Sequence, residues 1–292
     1  MTRKYKGHFQ SSLAPYTAWA LFFILVPMGF VVVYAFTDNG FRFTFDNISR
    51  FFTTVSMIES SKGAATEVRT YMVILKRSLK LAFISTAVCL LIGYPLAMRI
   101  TRAGKKMKSV MLTLLMIPMW MNFLIRTYAW MTILQDSGVI NNMIIKLGMK
   151  PFHIIGTETA VIIGMVYDYL PYMVLPIYSV MIKTDWNLIE AAQDLGCSEI
   201  KVLKRVTFPL SIPGVLSGIT MVLIPSVSTF YISQKLGNGK FFLIGDAIEG
   251  QYAANNLHFV AAMALILMMI LMIIMGVLRY LTQKFIYGGD LK

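Results

Sequence analysis

The chain alternates between long apolar runs and short polar segments. Each run contains about the 20 residues that an α-helix needs to cross a membrane. The pattern therefore predicts an all-α integral membrane protein with six transmembrane helices in a single domain over residues 1–292. The predicted spans are Leu13–Phe36, Leu79–Met98, Val110–Leu134, Thr159–Ile182, Leu210–Ile232 and His258–Arg279.

Composition supports this class. The 292 residues are 57% hydrophobic and only 14% charged, whereas soluble domains carry about 25% charged residues. The net charge of +13 would suggest nucleic acid as a partner of a soluble protein. In a membrane protein it instead reflects basic residues on the cytoplasmic side, so we expect membrane lipid and no nucleic acid as a partner. Cys89 and Cys197 form no CxxC pattern, so we predict no metal site.

The loop "RITRAGKKMK" between the second and third predicted spans fixes the orientation. It is short, contains no acid, and carries Arg99, Arg102, Lys105, Lys106 and Lys108. Basic residues in such short loops stay in the cytoplasm. We therefore predict a multi-pass protein of the bacterial cytoplasmic (inner) membrane with both termini in the cytoplasm.

A polar segment, "EAAQDLGCSEIKVLKRVTFP", separates the fourth and fifth predicted spans on the cytoplasmic side. Asp185 is suited to cap a first helix, and Gly196 comes where that helix would end in a left-handed residue. Ser198 is suited to cap a second short helix, which Pro209 would stop. The segment predicts a helix–glycine–helix hairpin over 185–208. The residues alone leave open whether it is an amphipathic connector or a docking surface.

The same segment resembles the EAA motif of the permease subunits of ABC importers. The resemblance implies a type I ABC importer permease fold, in which this hairpin is the coupling helix that docks on an ATPase. It also implies three kinds of partner: a second homologous permease, two ATPase subunits and an extracytoplasmic substrate-binding protein. The residues that match the motif are Glu190, Ala191, Ala192, Gly196, Val206, Phe208 and Pro209.

ATP hydrolysis is not expected in this chain. No G-x-x-x-x-G-K-[ST] phosphate-binding loop occurs in the sequence. ATP and Mg²⁺ would therefore bind to the partner ATPase, and this chain would carry no cofactor and no catalytic residue.

Other segments narrow the cargo. "FLIRTYAW", "YDYLPYMVLPIYS", "TFPLSIPGVLSGI" and "FLIGDAIEGQY" resemble the first of the paired permeases of spermidine/putrescine importers. The resemblance implies polyamine import by alternating access. Importers for iron, thiamine or sulfate share the EAA motif and are the alternative. A secondary transporter is disfavoured, because it would be expected to carry several intramembrane charges or an inverted repeat.

One acid, Asp168, lies within a predicted span, about 13 Å below the outer face at 1.5 Å per residue. An ionisable residue at this depth is a candidate for function, and Tyr167 and Tyr172 flank it. Arg126, near the outer end of a straight third span, is a possible partner. Two interpretations stay open: Asp168 contacts the cationic cargo, or it forms a structural ion pair with Arg126.

The end of the fifth span supplies further candidates. Pro225 is expected to interrupt the helix and to free carbonyls, so that Ser228 and Tyr231 would line the pathway. Helix packing through small residues is the alternative. Asp246 and Glu249 are expected in an outer loop, where they would guide cations or contact the binding protein, or form a solvated surface.

Overall fold

The computed structural model describes residues 2–59 and 65–287. Its first part contains three helices and a small antiparallel hairpin in the predicted outer connection. The hairpin was not predicted, since its strands are short and lie between two apolar runs. These elements are α1 (Thr2–Ala35), α2 (Asp46–Thr53), β1 (Val55–Glu59), β2 (Ala65–Arg69) and α3 (Thr70–Arg102).

The regular elements in the rest of the described chain are helices. A short π-helical turn, Leu203–Thr207, joins two of these helices. In chain order the helices are α4 (Lys105–Trp120), α5 (Phe123–Leu134), α6 (Val139–Lys146), α7 (Glu158–Met181), α8 (Trp186–Asp194), α9 (Glu199–Val202), α10 (Phe208–Ser228), α11 (Tyr231–Leu236), α12 (Ile244–Ala253) and α13 (Leu257–Tyr287).

Five continuous helical segments are long and apolar enough to cross a membrane, and a bent pair of helices is a possible sixth. The prediction of a multi-pass helical membrane protein is therefore confirmed. The helices often extend beyond the predicted spans, because a helix continues into water after its apolar stretch has ended. The five segments are Pro15–Ala35, Thr70–Arg102, Glu158–Met181, Glu199–Ser228 and Leu257–Tyr280.

The third predicted span, 110–134, is not the single straight helix that was expected. It consists of α4 and α5, and the chain bends by 96° between α4 and the segment Phe123–Lys146 that begins with α5. Pro118 lies in the last turn of α4, where its missing N–H weakens helix continuation. Asn122 then starts α5, because its side-chain oxygen accepts a hydrogen bond from the Leu124 N–H at 2.8 Å.

Pro209 does not stop a helix, so this expectation was wrong. Residues Glu199–Ser228 form one continuous helical segment. The π-helical turn precedes Pro209, with the Phe208 N–H bonded to the Leu203 carbonyl. Pro209 then falls in the first turn of α10, where its missing N–H costs little. The second half of the predicted 185–208 hairpin is therefore the start of the fifth span.

The chain divides into two compact units. The first comprises residues 1–72 and 248–270, and the second comprises 73–247 and 271–292. In the first unit, Ala35, Ala261 and Ala262 form a small buried cluster. The Tyr71 ring lies 5.8 Å from the Phe51 ring and 5.2 Å from the Phe259 ring, measured between centroids, and extends this core.

The core of the second unit is centred on α7 and α10. Gly214 and Gly218, one turn apart on α10, allow the two backbones to approach closely. A Cβ atom on Gly214 would lie 2.8 Å from the Pro176 carbonyl oxygen, and one on Gly218 would lie 3.0 Å from the Met173 carbonyl oxygen. Small residues permit such close packing of membrane helices.

Replacing Gly218 with valine is expected to destabilise the protein by about 1–3 kcal/mol, because the added atoms force α10 away from the α7 backbone. The midpoint of thermal unfolding in detergent measures the effect. The matched control is Gly276→Val in α13, where a Cβ atom would meet nothing within 4 Å. Equal stability of the two variants would contradict close packing at Gly218.

Candidate functional site

A buried ion pair connects α5 to α7. The Arg126 Nε lies 3.2 Å from the Asp168 Oδ1, and the two residues are only 8% and 2% exposed. The Arg126 guanidinium also donates to the Pro118 carbonyl oxygen at 2.9 Å through Nη1. The arginine therefore ties the end of α4, the start of α5 and the middle of α7 together across the bend.

The alternative in which Asp168 pairs with Arg126 is thus the arrangement in the structure. Neither the Arg126 Nε nor the Asp168 Oδ1 has an aligned hydrogen bond, so the pair is held mainly by charge. The depth estimated for Arg126 assumed a straight third span, which the structure does not have, because the chain turns by 96° just before this residue.

The tyrosines that flank Asp168 have different surroundings. The Tyr167 ring packs edge-on against Trp130 of α5, with 5.1 Å between centroids. Tyr172, one turn further along α7, is exposed. Tyr169, which was not among the predicted site residues, is buried, and its hydroxyl donates to the Pro225 carbonyl oxygen at 3.4 Å.

Pro225 does not interrupt α10, contrary to expectation. The helix continues to Ser228 and breaks only at Thr229 and Phe230. Serine hydroxyls near this helix end bond carbonyls one turn earlier: Ser226 donates to the Val222 carbonyl at 2.7 Å, and Ser228 donates to the Ile224 carbonyl at 3.2 Å. The polar residues therefore stabilise a helix end, and Ser228 remains exposed.

Tyr231 opens α11 immediately after this break. Its ring lies 5.9 Å from the Phe123 ring and 6.1 Å from the Tyr128 ring, between centroids. The Lys235 Nζ lies 5.2 Å from the Tyr128 centroid and 5.6 Å from the Tyr231 centroid. Sequence reasoning missed this group, because it joins residues about a hundred positions apart.

Asp246 is buried, so its expected position on an exposed loop was wrong. Its Oδ2 accepts hydrogen bonds from the Leu243 N–H and from the Ser233 hydroxyl, each at 2.7 Å. Asp246 is the third residue of α12, and Leu243 directly precedes the helix. A carboxylate at this third position that accepts from the N–H before the helix is half of a capping box. Glu249, in contrast, is exposed.

The helix–glycine–helix hairpin over 185–208 forms as predicted up to its turn. The Asp185 Oδ1 accepts from the Asn187 N–H at 3.0 Å and caps α8. Gly196 adopts a φ of +77°, and the Cys197 N–H bonds the Ala192 carbonyl at 3.1 Å. This is a Schellman ending, which favours glycine at the left-handed position. Ser198 precedes α9 but makes no side-chain capping bond.

The solvent-exposed side of the 185–208 hairpin carries both apolar and polar side chains. Leu195 is 85% exposed, and Leu188 and Ile200 are also exposed. The motif residues Glu190 and Ala191 are exposed beside them. Ile189 points the other way and is buried, next to a small cavity that Met98 and Met181 also line. The hairpin is anchored on one side and carries large apolar side chains in the open on the other.

Residues 89–287 match the sequence profile of the family described as "Binding-protein-dependent transport system inner membrane component". The chain is 35% identical to the spermidine/putrescine transport system permease protein PotB of Haemophilus influenzae over 247 residues, which cover 82% of this chain and 81% of that protein. PotB of Escherichia coli (strain K12) is also 35% identical, over 80% of this chain and 82% of its own length.

A solved structure has the same fold. The crystal structure of a bacterial alginate ABC transporter in complex with an alginate pentasaccharide-bound periplasmic protein contains a chain that superposes with a TM-score of 0.76 at 17% identity. The superposition covers 97% of this chain and 96% of that one. With a family profile that matches more than half of its length, the chain belongs to the inner membrane components of binding-protein-dependent transport systems, which are transport subunits of ABC importers and not enzymes.

Proposed function

We propose that this chain is a permease subunit of an ATP-driven importer for the polyamines spermidine and putrescine. The observation that carries the proposal is the identity of 35% over about four fifths of the chain with permeases named for that transport. The cargo would be a flexible cation with several ammonium groups. Aromatic faces of the kind found at Tyr128 and Tyr231 attract such groups.

The partners proposed for the chain are a second homologous permease, two ATPase subunits and an extracytoplasmic binding protein. ATP and Mg²⁺ would bind to the ATPases. The exposed apolar side chains of the hairpin support an ATPase contact, since several large apolar side chains exposed on one short segment are typical of a binding site. This surface consists of Leu188, Leu195 and Ile200, with the motif residues Glu190, Ala191, Ala192 and Gly196.

The orientation proposed for the chain has both termini and the hairpin in the cytoplasm. It rests on the basic turn between α3 and α4, where Arg99, Arg102, Lys105 and Lys106 are exposed. In this orientation α11 and the start of α12 lie towards the outside. Glu249 of α12 is exposed and remains the candidate there for contact with the binding protein or for cation guidance.

Coupling follows from the continuous helical segment Glu199–Ser228. One end of this segment belongs to the hairpin, and the other ends at the break before Tyr231. Movement of the hairpin by the ATPases would therefore displace the Ser228–Tyr231 region directly. The close contact of α10 with α7 through Gly214 and Gly218 would carry the same movement to Asp168. This arrangement suits alternating access.

Uptake by the reconstituted importer tests the cargo. The complex in proteoliposomes, with its binding protein outside and ATP inside, is assayed with spermidine, putrescine, thiamine, sulfate and ferric ion in parallel. We expect uptake and stimulation of ATP hydrolysis with a polyamine only. Stimulation by a cargo that is not a polyamine would overturn the cargo assignment, and uptake without ATP would overturn the ATP-driven mechanism.

A further inference from the structure

The Lys235 ammonium lies beside a pair of neighbouring tyrosine rings, Tyr128 and Tyr231, whose centroids are 6.1 Å apart. Its Nζ is 5.2 Å from the centroid of Tyr128 and 5.6 Å from that of Tyr231. Both distances fall within about 6 Å, the range over which an aromatic face attracts a cation. Lys235 takes part in none of the ion pairs found among the described residues. The ammonium is therefore held by the two tyrosines, through their rings and the Tyr128 hydroxyl, rather than by a carboxylate.

Two helix breaks build this aromatic site. Tyr128 belongs to α5, which starts after the 96° bend. Tyr231 and Lys235 are one turn apart on α11, which starts after the break that ends α10. Phe123, whose ring lies 5.9 Å from that of Tyr231, adds a third aromatic neighbour. The site depends on both breaks, so it lies where a moving α10 would change its shape.

The chemistry of the lysine side chain identifies a ligand. Four methylene groups that end in a primary ammonium are the same group that putrescine carries and that spermidine carries at one end. We propose that Tyr128 and Tyr231 form a subsite for a primary ammonium of the cargo, and that Lys235 fills this subsite until the cargo displaces it. The identification of the cargo rests on the proposed function, whereas the ammonium subsite is a property of the two rings.

An open pocket gives the cargo an approach and the lysine a destination. Lys235 also lines a pocket of about 500 Å³, whose wall includes Asp136, His153 and Lys240. The Asp136 carboxylate is 2.9 Å from the His153 ring and is the acid among the residues that line this pocket. When Lys235 leaves the rings, its ammonium can therefore stay near a carboxylate in water.

Exchange of one ammonium for another also suits transport. The rings keep a cation throughout, so no aromatic–cation contact is lost in the exchange. Binding of the cargo is then weak enough to be reversed, which conduction through a pathway requires. An empty aromatic site of the same shape would hold the cargo more tightly and release it more slowly.

Chemical labelling of Lys235 tests the subsite in the purified full importer. An amine-acetylating reagent is applied with increasing n-butyltrimethylammonium, a cation that does not consume the reagent, and labelling is read by mass spectrometry. We expect labelling of Lys235 to rise about two- to tenfold as the probe displaces it. Lys240, which lines the same pocket, is the internal reference. Sodium chloride at equal ionic strength should have no such effect.

Variants of Tyr128 separate the ring from the hydroxyl. Tyr128→Phe should keep the response of Lys235 to the probe, and Tyr128→Leu should abolish it and leave Lys235 reactive from the start. Tyr128 is exposed, so neither change should affect folding. A Lys235 whose labelling ignores the probe, or equal behaviour of the two variants, would overturn the subsite.

Uptake by Lys235→Ala separates this inference from the proposed function. We expect the variant to import putrescine with a half-saturating concentration or a release rate that is lower than that of the unmodified importer by about two- to tenfold. Suppose that the importer carries polyamine and that Lys235 responds to the probe. If Lys235→Ala then leaves the putrescine kinetics unchanged, the idea that the cargo displaces Lys235 is overturned, but the ammonium subsite is not. An unmodified importer that carries no polyamine would overturn the proposed function, and the labelling result would still decide the subsite.

Discussion

Asp168→Asn is expected to lower the stability of the chain by about 3–5 kcal/mol, because it leaves the buried Arg126 guanidinium without a counter-charge. Arg126→Met should be destabilising for the converse reason. The double variant Arg126→Met/Asp168→Asn should recover most of this loss, since it buries no charge. Thermal unfolding of the purified protein, monitored by size-exclusion chromatography, measures all three variants.

The chain provides a matched control for this prediction. Lys80 and Glu158 form an ion pair at 2.7 Å, but their side chains are 58% and 33% exposed. Exposed pairs contribute only about 0–1 kcal/mol, so Glu158→Gln should be nearly neutral. Equal effects of Asp168→Asn and Glu158→Gln would contradict a structural role for the buried pair. Unchanged stability of Asp168→Asn with weaker cargo binding would instead assign Asp168 a direct contact with the cargo.

The sequence predicted the membrane spans well because their signal is local. About 20 consecutive apolar residues suffice to identify a span. The first and last residues of α7 each lie one position from the limits of the predicted span Thr159–Ile182. The bend in the third span was missed for a different reason. Apolar composition is the same on both sides of it, and the bend depends on how Pro118 and Asn122 act together. The depth estimate for Arg126 relied on the same straight span.

Pro209 and Pro225 show that a proline is an ambiguous signal. Both were expected to interrupt helices, yet helical structure continues through each of them. Pro209 follows a π-helical turn, and the last turn after Pro225 is stabilised by serine hydroxyls. A propensity scale treats residues one at a time and includes neither the π-helical turn nor these local bonds between serine hydroxyls and carbonyls.

The candidate site was only partly accessible from sequence. The pairing of Arg126 with Asp168 was one of the alternatives left open, because buried charges require partners and few were available. The burial of Asp246 and the position of the Lys235 ammonium beside Tyr128 and Tyr231 were not anticipated. Both depend on contacts between separate elements, such as the bond from Ser233 to Asp246. Charge and loop position alone made Asp246 look like a surface residue.

Gly196→Leu is expected to lower cargo-stimulated ATP hydrolysis and uptake by about tenfold or more in the assembled importer. Gly196 has a φ of +77°, and a Cβ atom there would meet nothing within 4 Å in this chain. The space is therefore open to the ATPase that we propose docks on the hairpin. A docking penalty of only about 1.4 kcal/mol lowers the docked fraction about tenfold when docking is marginal.

Backbone strain must be separated from lost docking, and Gly148 makes this possible. It has a φ of +76°, and a Cβ atom there also would meet nothing within 4 Å. Gly148→Leu should therefore carry the same strain of about 1–2 kcal/mol but retain transport. Gly196→Asn, which accepts a left-handed backbone yet fills part of the open space, should fall between glycine and leucine. Equal losses in Gly148→Leu and Gly196→Leu would attribute the defect to strain and would count against docking at the hairpin.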